Sequence, residues 1–389
     1  MSDNTNNNSN SESTPLLQMK GLRIEGLSDN GWQEIVCGID LELKRGEIIG
    51  LIGESGAGKS TIGLAAMGFA RDGCRITEGD IIFDGIELRT APESEKCKLR
   101  GTRISYVAQS AAAAFNPAHR LLDQFIEGPV DHQILSRVDA KEKGRALYRS
   151  LDLPDPENIG ERWPHQVSGG QLQRMMVAMA MSCEPDLIIF DEPTTALDVT
   201  TQIEVLKTIK EIVIDRNVAA IYVTHDLAVV AQMADHLMVL RHGKLVEVNS
   251  TGQILKDPKQ EYTRDLLNAR NRDEKTPAHM PNPQTLLSID SVTAGYSNGP
   301  DVLQDISILV ERGQTVAVVG ESGSGKSTLA RVITGLLPTR SGGVSFQGEL
   351  LPPALGQRQK EQLQKVQMIY QLPDVALNPR QRVREVIGR

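Results

Sequence analysis

No stretch of this 389-residue chain could cross a bilayer as a helix. Its longest purely apolar run is Met175–Met181, far short of the roughly 20 residues a spanning helix requires. Aromatic residues are scarce at 4%, which argues against the stacking platforms that grip single-stranded nucleic acid. Basic excess is missing too. Forty-two Lys and Arg against 50 Asp and Glu leave a formal charge of −8, the wrong sign for a general nucleic-acid coat, so no nucleic-acid partner is expected. Cysteine is limited to Cys37, Cys74, Cys97 and Cys183 with no Cys-x-x-Cys spacing. That pattern predicts reduced, buried thiols of a cytosolic protein rather than disulfides or metal ligands. The N-terminal segment from Ser2 to Ser13 is rich in Asn, Ser and Thr; without an apolar core it reads as part of a disordered tail (1–15), not an export signal. What remains, 40% hydrophobic and 24% charged, is ordinary for a globular chain of two or three domains.

The chain does contain a long internal repeat. Gly46–Ser60 reads GEIIGLIGESGAGKS and Gly313–Ser327 reads GQTVAVVGESGSGKS, an offset of 267 residues. Further on, Gln109 precedes Phe115-Asn116-Pro117, and Gln371 precedes Leu377-Asn378-Pro379, at an offset of 262. A period this long is domain duplication rather than a solenoid. The polar, proline-bearing segment 271–284 has linker composition, so the first domain is predicted over 16–270 and a second, shorter one over 285–389. Glu47–Ile52, Leu187–Phe190 and Ala219–Val223 are apolar runs of buried-strand type, and Thr61–Met67 and Gln171–Met181 look helical. Strands alternating with helices predict an α/β fold with a largely parallel sheet.

The repeated segment is a phosphate loop. Gly-x-x-x-x-Gly-Lys-Ser between a strand and a helix lets backbone N–H groups wrap phosphates while the lysine reaches the β/γ oxygens and the serine hydroxyl ligates Mg²⁺. The first loop is Gly53, Glu54, Ser55, Gly56, Ala57, Gly58, Lys59, Ser60 and Thr61. The second is Gly320, Glu321, Ser322, Gly323, Ser324, Gly325, Lys326, Ser327 and Thr328. One such match is sometimes just a glycine-rich turn; two in equivalent contexts predict a nucleoside triphosphate, with Ser60 and Ser327 as metal ligands. The strand Leu187–Phe190 ends in Asp191-Glu192, where Asp191 is placed to hold Mg²⁺ and Glu192 to polarise the attacking water. The bland alternative is a strand ending at an acidic turn.

Between these motifs lies Val167-Ser168-Gly169-Gly170-Gln171, a close variant of the LSGGQ signature. The order Gln109, Ser168–Gln171, Asp191-Glu192, Ala196-Leu197-Asp198, Thr224-His225-Asp226 resembles the full motif set of the ATP-binding cassette (ABC) ATPases, and the resemblance covers nearly all of 16–389. It implies a P-loop NTPase of ABC type, with a RecA-like core, a helical subdomain and an antiparallel β subdomain, in two tandem copies. It further implies that Gln109, and Gln371 in the second copy, touch Mg²⁺ and the lytic water; that Ser168, Gly169, Gly170 and Gln171 close over a nucleotide held by an opposing cassette; that Asp198 supports the dimer interface; and that His225 holds the γ-phosphate. Tyr296 stands where an adenine-stacking aromatic belongs. In the first copy Trp32 either stacks on adenine or packs on the surface.

Phe115-Asn116-Pro117 and the segment Asp257–Leu267, with its Pro-x-x-x-Tyr-Thr-x-x-Leu-Leu pattern, resemble the oligopeptide/dipeptide/nickel importer branch. That resemblance implies an ATPase peripheral to the cytoplasmic face of the inner membrane, using ATP and Mg²⁺. Its partners would be transmembrane permease subunits and, indirectly, an extracytoplasmic solute-binding protein; its cargo would be peptides or related small solutes. A non-transport tandem ABC protein acting on ribosomes or DNA is the rival, though the short proline-bearing linker and the absence of inserted zinc cysteines or coiled coils speak against it. The signature begins 109 residues after Lys59; the same interval from Lys326 reaches position 435, past Arg389. The second copy is therefore expected to be incomplete, the chain to be a fragment of a longer tandem protein, and complete sites to need first copies from two chains.

Overall fold

The computed structural model describes residues 14–194, 199–268, 284–297, 299–320, 323–370, 377–378 and 380–387. The 1–13 tail, almost all of the expected linker, Ala196-Leu197-Asp198, Glu321, Ser322, Gln371 and Pro379 lie outside them. The chain divides into two compact units, Met1–Asp273 and Glu274–Arg389.

The first unit begins with β1 (Leu17–Ser28) and β2 (Gly31–Leu43), followed by β3 (Ile48–Ile52) and α1 (Lys59–Ala65). Next come β4 (Cys74–Phe83), β5 (Ile86–Glu87), α2 (Glu93–Leu99) and β6 (Ile104–Val107). A helical stretch holds α3 (Ala111–Ala114), α4 (Leu121–Asp131), α5 (Arg137–Ser150) and α6 (Gly169–Ala180). The unit closes with β7 (Leu187–Asp191), α7 (Val199–Asp215), β8 (Ala219–Val223), α8 (Leu227–Met233), β9 (His236–Arg241), β10 (Lys244–Ser250), α9 (Thr251–Lys256) and α10 (Glu261–Asn268).

These strands form an antiparallel sheet, β2-β1-β4-β5, and a six-stranded sheet, β10-β9-β3-β8-β7-β6. The larger sheet is parallel except at its β10 edge. Its central strands are apolar up to the Asp191 that ends β7, because both faces are covered. Ile48 and Ile52 of β3, Ile188 and Phe190 of β7, and Ala220 and Tyr222 of β8 enter a core shared with α3–α8. Their neighbours Ile49, Leu51, Leu187, Ile189, Ala219, Ile221 and Val223 enter a second core with α1 and the antiparallel sheet. Period-two alternation thus places consecutive apolar residues in different cores.

Two helices begin earlier than the sequence suggested. α1 starts at Lys59 rather than Thr61, because Gly58 in a left-handed conformation (φ 91°) ends the loop there. α6 starts at Gly169 rather than Gln171, because Ser168 caps it and Gln171 completes a capping box. The expectation of buried thiols also fails. Cys97 is exposed on the solvent side of α2, and Cys37, Cys74 and Cys183 are only partly covered, although all four are free.

The second unit contains β11 (Thr285–Ala294), β12 (Leu303–Glu311), α11 (Lys326–Ile333), β13 (Ser341–Phe346), β14 (Glu349–Leu350) and α12 (Lys360–Lys365). They include one antiparallel sheet, β12-β11-β13-β14, packed with α11 on a small core around Ile289, Val292, Leu329 and Val344. Residues 314–320, the counterpart of β3, pair with no described strand, and 311–320 are exposed. In the first unit β3 exists as a strand between β8 and β9; without such neighbours a parallel strand has nothing to bond.

Ile189 is fully buried at the centre of the large sheet. Ile189→Ala is expected to lower unfolding stability by about 2–5 kcal/mol, measurable by urea titration of the first unit's transition.

Candidate functional site

β3, β6, β7 and β8 run in the same direction, so the residues just beyond their C-terminal ends share one edge of the sheet. In open α/β sheets that edge is where ligands bind. Here it carries Gly53 after β3, Gln109 after β6, Asp191-Glu192 at the end of β7 and Thr224-His225 after β8. A cleft of about 580 Å³ is lined by Ser55–Thr61 together with Gln109, Glu192 and His225.

The loop's shape follows from its glycines. Gly53 adopts φ 149°, and a Cβ there would lie 2.1 Å from the Leu240 carbonyl oxygen; at Gly56 (φ 82°) a Cβ would meet nothing within 4 Å. α1 has no side-chain cap on its first turn, which leaves its leading N–H groups for a ligand. Lys59 is buried and donates through Nζ to the carbonyls of Gly53 (2.8 Å) and Glu54 (3.0 Å). Burial pulls its ammonium below the ordinary lysine value, while the charges of Glu192 and Asp191 oppose the shift.

Ser60 Oγ donates to Asp191 Oδ1 at 2.7 Å, joining α1 to β7. The other Asp191 oxygen accepts from the Tyr106 hydroxyl at 2.5 Å and lies 3.7 Å from the Arg71 guanidinium. Burial and the bond to Asp191 hold the Tyr106 hydroxyl firmly protonated, well above the usual tyrosine range. Glu192 is flanked on both sides. Gln109 Nε2 donates to Oε2 at 3.0 Å, and His225 Nδ1 lies 2.9 Å from Oε1.

Ser168–Gln171 do not line this cleft. Ser168 is the N-cap of α6: its hydroxyl accepts from the Gln171 amide at 3.3 Å, and Gln171 Oε1 accepts from the Ser168 amide at 3.0 Å. Ser168 and Gly169 are exposed. Trp32 is covered on one face by the Arg75 guanidinium, 4.1 Å from the ring centroid.

In the second unit the described residues of the loop repeat the geometry of the first. Gly320 has φ 151° and Gly325 φ 98°, and Lys326 Nζ donates to the Gly320 carbonyl at 2.8 Å. Gly323, Ser324, Ser327 and Thr328 lie beside them, whereas Glu321, Ser322 and Gln371 are outside the described residues. Tyr296 is tied to this loop's helix: its hydroxyl lies 3.3 Å from Thr328 Oγ1 and accepts from Arg331 at 2.8 Å.

Sequence reasoning missed Tyr106 and Arg71, and gave no site role to Tyr262 of the Pro-x-x-x-Tyr-Thr-x-x-Leu-Leu segment, whose hydroxyl accepts from the Glu54 amide. Tyr106 carried a signal, standing three residues before Gln109 in β6. Arg71 follows α1 in an irregular loop and carried none.

A family profile described as ABC transporter matches residues 36–195 and 303–386. The chain belongs to the ABC transporter family. With the family comes its activity, the binding and hydrolysis of ATP by a cassette ATPase. The chain is 32% identical over 384 residues to the peptidoglycan transport ATP-binding protein YejF of Agrobacterium fabrum, covering 96% of this chain and 70% of that protein. It is 33% identical over 389 residues to the glutathione import ATP-binding protein GsiA of Pectobacterium atrosepticum, covering 89% of this chain and 62% of that one. The chain thus spans somewhat under or over two thirds of such relatives. In fold it is similar to a dimeric ATP-binding cassette solved in a post-hydrolysis state with ADP and Pi, at a TM-score of 0.55 and 23% identity, covering 60% of this chain and 98% of that one.

The two loop glycines separate strain from collision. Gly56→Ala is expected to cost about 1–2 kcal/mol of stability from its left-handed backbone alone. Gly53→Ala adds a clash with the Leu240 carbonyl and should cost more and abolish nucleotide binding. Thermal unfolding and a fluorescent-ATP titration of both variants check this.

Proposed function

We propose that this chain is the ATP-hydrolysing subunit of an importer, energising separate membrane-spanning permease subunits that carry peptides or related small solutes. The observation that carries the reading is the convergence of Ser60, Asp191, Glu192, Gln109 and His225 on one phosphate loop. The relatives' names, peptidoglycan transport and glutathione import, support import of peptide-like cargo and weigh against a ribosome- or DNA-directed protein.

Mg²⁺ fits the donor set. Among the described residues no cluster of three or more His, Cys, Asp or Glu could hold a metal by itself, and Mg²⁺ in such sites takes one or two protein oxygens plus phosphates and water. Ser60 Oγ and Asp191 would supply those oxygens, with Gln109 beside them; Ser327 and Gln371 are their counterparts in the second unit. Bound Mg²⁺ would neutralise charge on the β- and γ-phosphates. Lys59 would hold the same oxygens, Glu192 would take a proton from the attacking water, and His225 would contact the γ-phosphate. Ser55–Thr61 would supply backbone amides, as would the second loop with Tyr296 against the adenine.

The Ser168–Gln171 segment, exposed at Ser168 and Gly169 and absent from the lining of its own loop's cleft, suits a site completed by an opposing cassette. The tandem arrangement, with a second cassette segment over 285–389, belongs to the same proposal, as does assembly of complete sites from first cassettes of two copies of this chain. Coupling to the permease runs through Gln109 and the open surface that follows it, where Asn116, His119, Asp123 and Gln124 help line a cleft of about 470 Å³ on α4. The chain would sit at the cytoplasmic face of the inner membrane, with a solute-binding protein engaging the permease from the other side.

Glu192→Gln is expected to bind ATP normally and lose about 10²–10⁴-fold in turnover. Mg²⁺-dependent phosphate release per molecule should rise with protein concentration in the wild type. Near-normal turnover in the variant would remove Glu192 from its role, and a concentration-independent rate would remove the two-chain site.

A further inference from the structure

The phosphate loop is held from outside by the tail of the first unit. The planar peptide between Gly53 and Glu54 is gripped at both ends. Its carbonyl accepts from Lys59 Nζ at 2.8 Å, and its N–H donates to the hydroxyl of Tyr262 at 3.3 Å, 208 residues away in sequence. Because a peptide unit turns as one rigid plane, fixing the N–H side fixes the direction of the carbonyl on which the Lys59 ammonium rests. The plane follows Gly53, whose φ of 149° is held without a Cβ to restrict it, so an outside hydrogen bond can fix its orientation.

Tyr262 is itself well located. The Arg241 guanidinium lies 4.6 Å from its ring centroid, and Arg241 directly follows Leu240, whose carbonyl abuts Gly53. The start of α10 is anchored by Glu247, whose carboxylate accepts the amides of Lys259 (2.8 Å) and Gln260 (3.1 Å). Thr263 is fully buried, and Leu266 and Leu267 pack on the core.

We propose that Tyr262 is a positioning residue for nucleotide binding: its hydroxyl sets the Gly53–Glu54 peptide and thereby the seat of Lys59, so the Pro-x-x-x-Tyr-Thr-x-x-Leu-Leu tail is a clamp on the phosphate loop. The clamp acts on the triphosphate through Lys59 and so rests on the nucleotide-site reading above.

The test is Tyr262→Phe in the full chain, which keeps the ring and its stacking on Arg241 and removes only the hydroxyl. In nucleotide-free protein, amide hydrogen exchange at Glu54 should accelerate at least about threefold while the α10 amides of Leu266 and Leu267 keep their rates. The ATP KM should rise about 3- to 10-fold, the range for loss of one neutral hydrogen bond, with kcat within about twofold. Unchanged exchange at Glu54 would overturn the proposal, as would faster exchange there with an unchanged KM. Acceleration spread across α10 would also overturn it, since the hydroxyl would then only hold the tail in place. Failure of the wild type to bind ATP would instead sink the nucleotide-site reading, and the exchange comparison would still report on the clamp.

Discussion

The pairing of β3 with β8 on one side and β9 on the other is the constraint on which the site depends. Parallel pairing aligns the carboxyl ends of the strands, so the phosphate loop, Asp191-Glu192 and His225 emerge along one edge although more than 170 residues separate the first from the last. The hydrogen bond from Ser60 to Asp191 ties the helix after β3 to the end of β7, two strands away in the order β3-β8-β7. Misalignment of these strands by one residue would turn each terminal side chain to the other face and break that tie.

The two phosphate loops separate what is local from what is not. Nearly identical nine-residue segments place their described glycines alike, with φ 149° at Gly53 and 151° at Gly320 and φ 91° at Gly58 and 98° at Gly325, and make the same lysine-to-carbonyl bond of 2.8 Å. Yet the segment before the loop is a buried strand in one unit and, in the other, exposed chain that pairs with no described strand. Glycine placement and the helix start therefore encode the loop, whereas the strand is a property of its neighbours. Intrinsic β-preference is context-dependent in just this way.

That division explains what could be read in advance. The loops, the apolar strands and the carboxylate pair at the end of β7 follow from short-range spacing, and β8 has the bounds its apolar run suggests. α1 and α6 begin two residues before their apolar content does, because the left-handed backbone of Gly58 ends the loop and the side chain of Ser168 caps the first turn. Cysteine's general tendency to be buried does not say which face of α2 Cys97 occupies, and it is exposed there. The contacts of Tyr106, Arg71 and Tyr262 are not legible in the sequence for a different reason. Each acts through a contact 85, 120 or 208 residues away in sequence, and no local pattern announces such a partner.

Glu192 is held at this edge in a strained conformation. It adopts φ 50°, a left-handed conformation that costs a side-chain-bearing residue about 1–2 kcal/mol and persists only where the surroundings over-determine it. They do so here. Its amide donates to the Val223 carbonyl at 2.9 Å, and its two carboxylate oxygens meet Gln109 and His225. The left-handed backbone, shared with turn residues such as Asp84 and His242, does not by itself assign a role; what sets Glu192 apart is its half-buried place on the wall of the phosphate-loop cleft, the position that the general base proposed above would need.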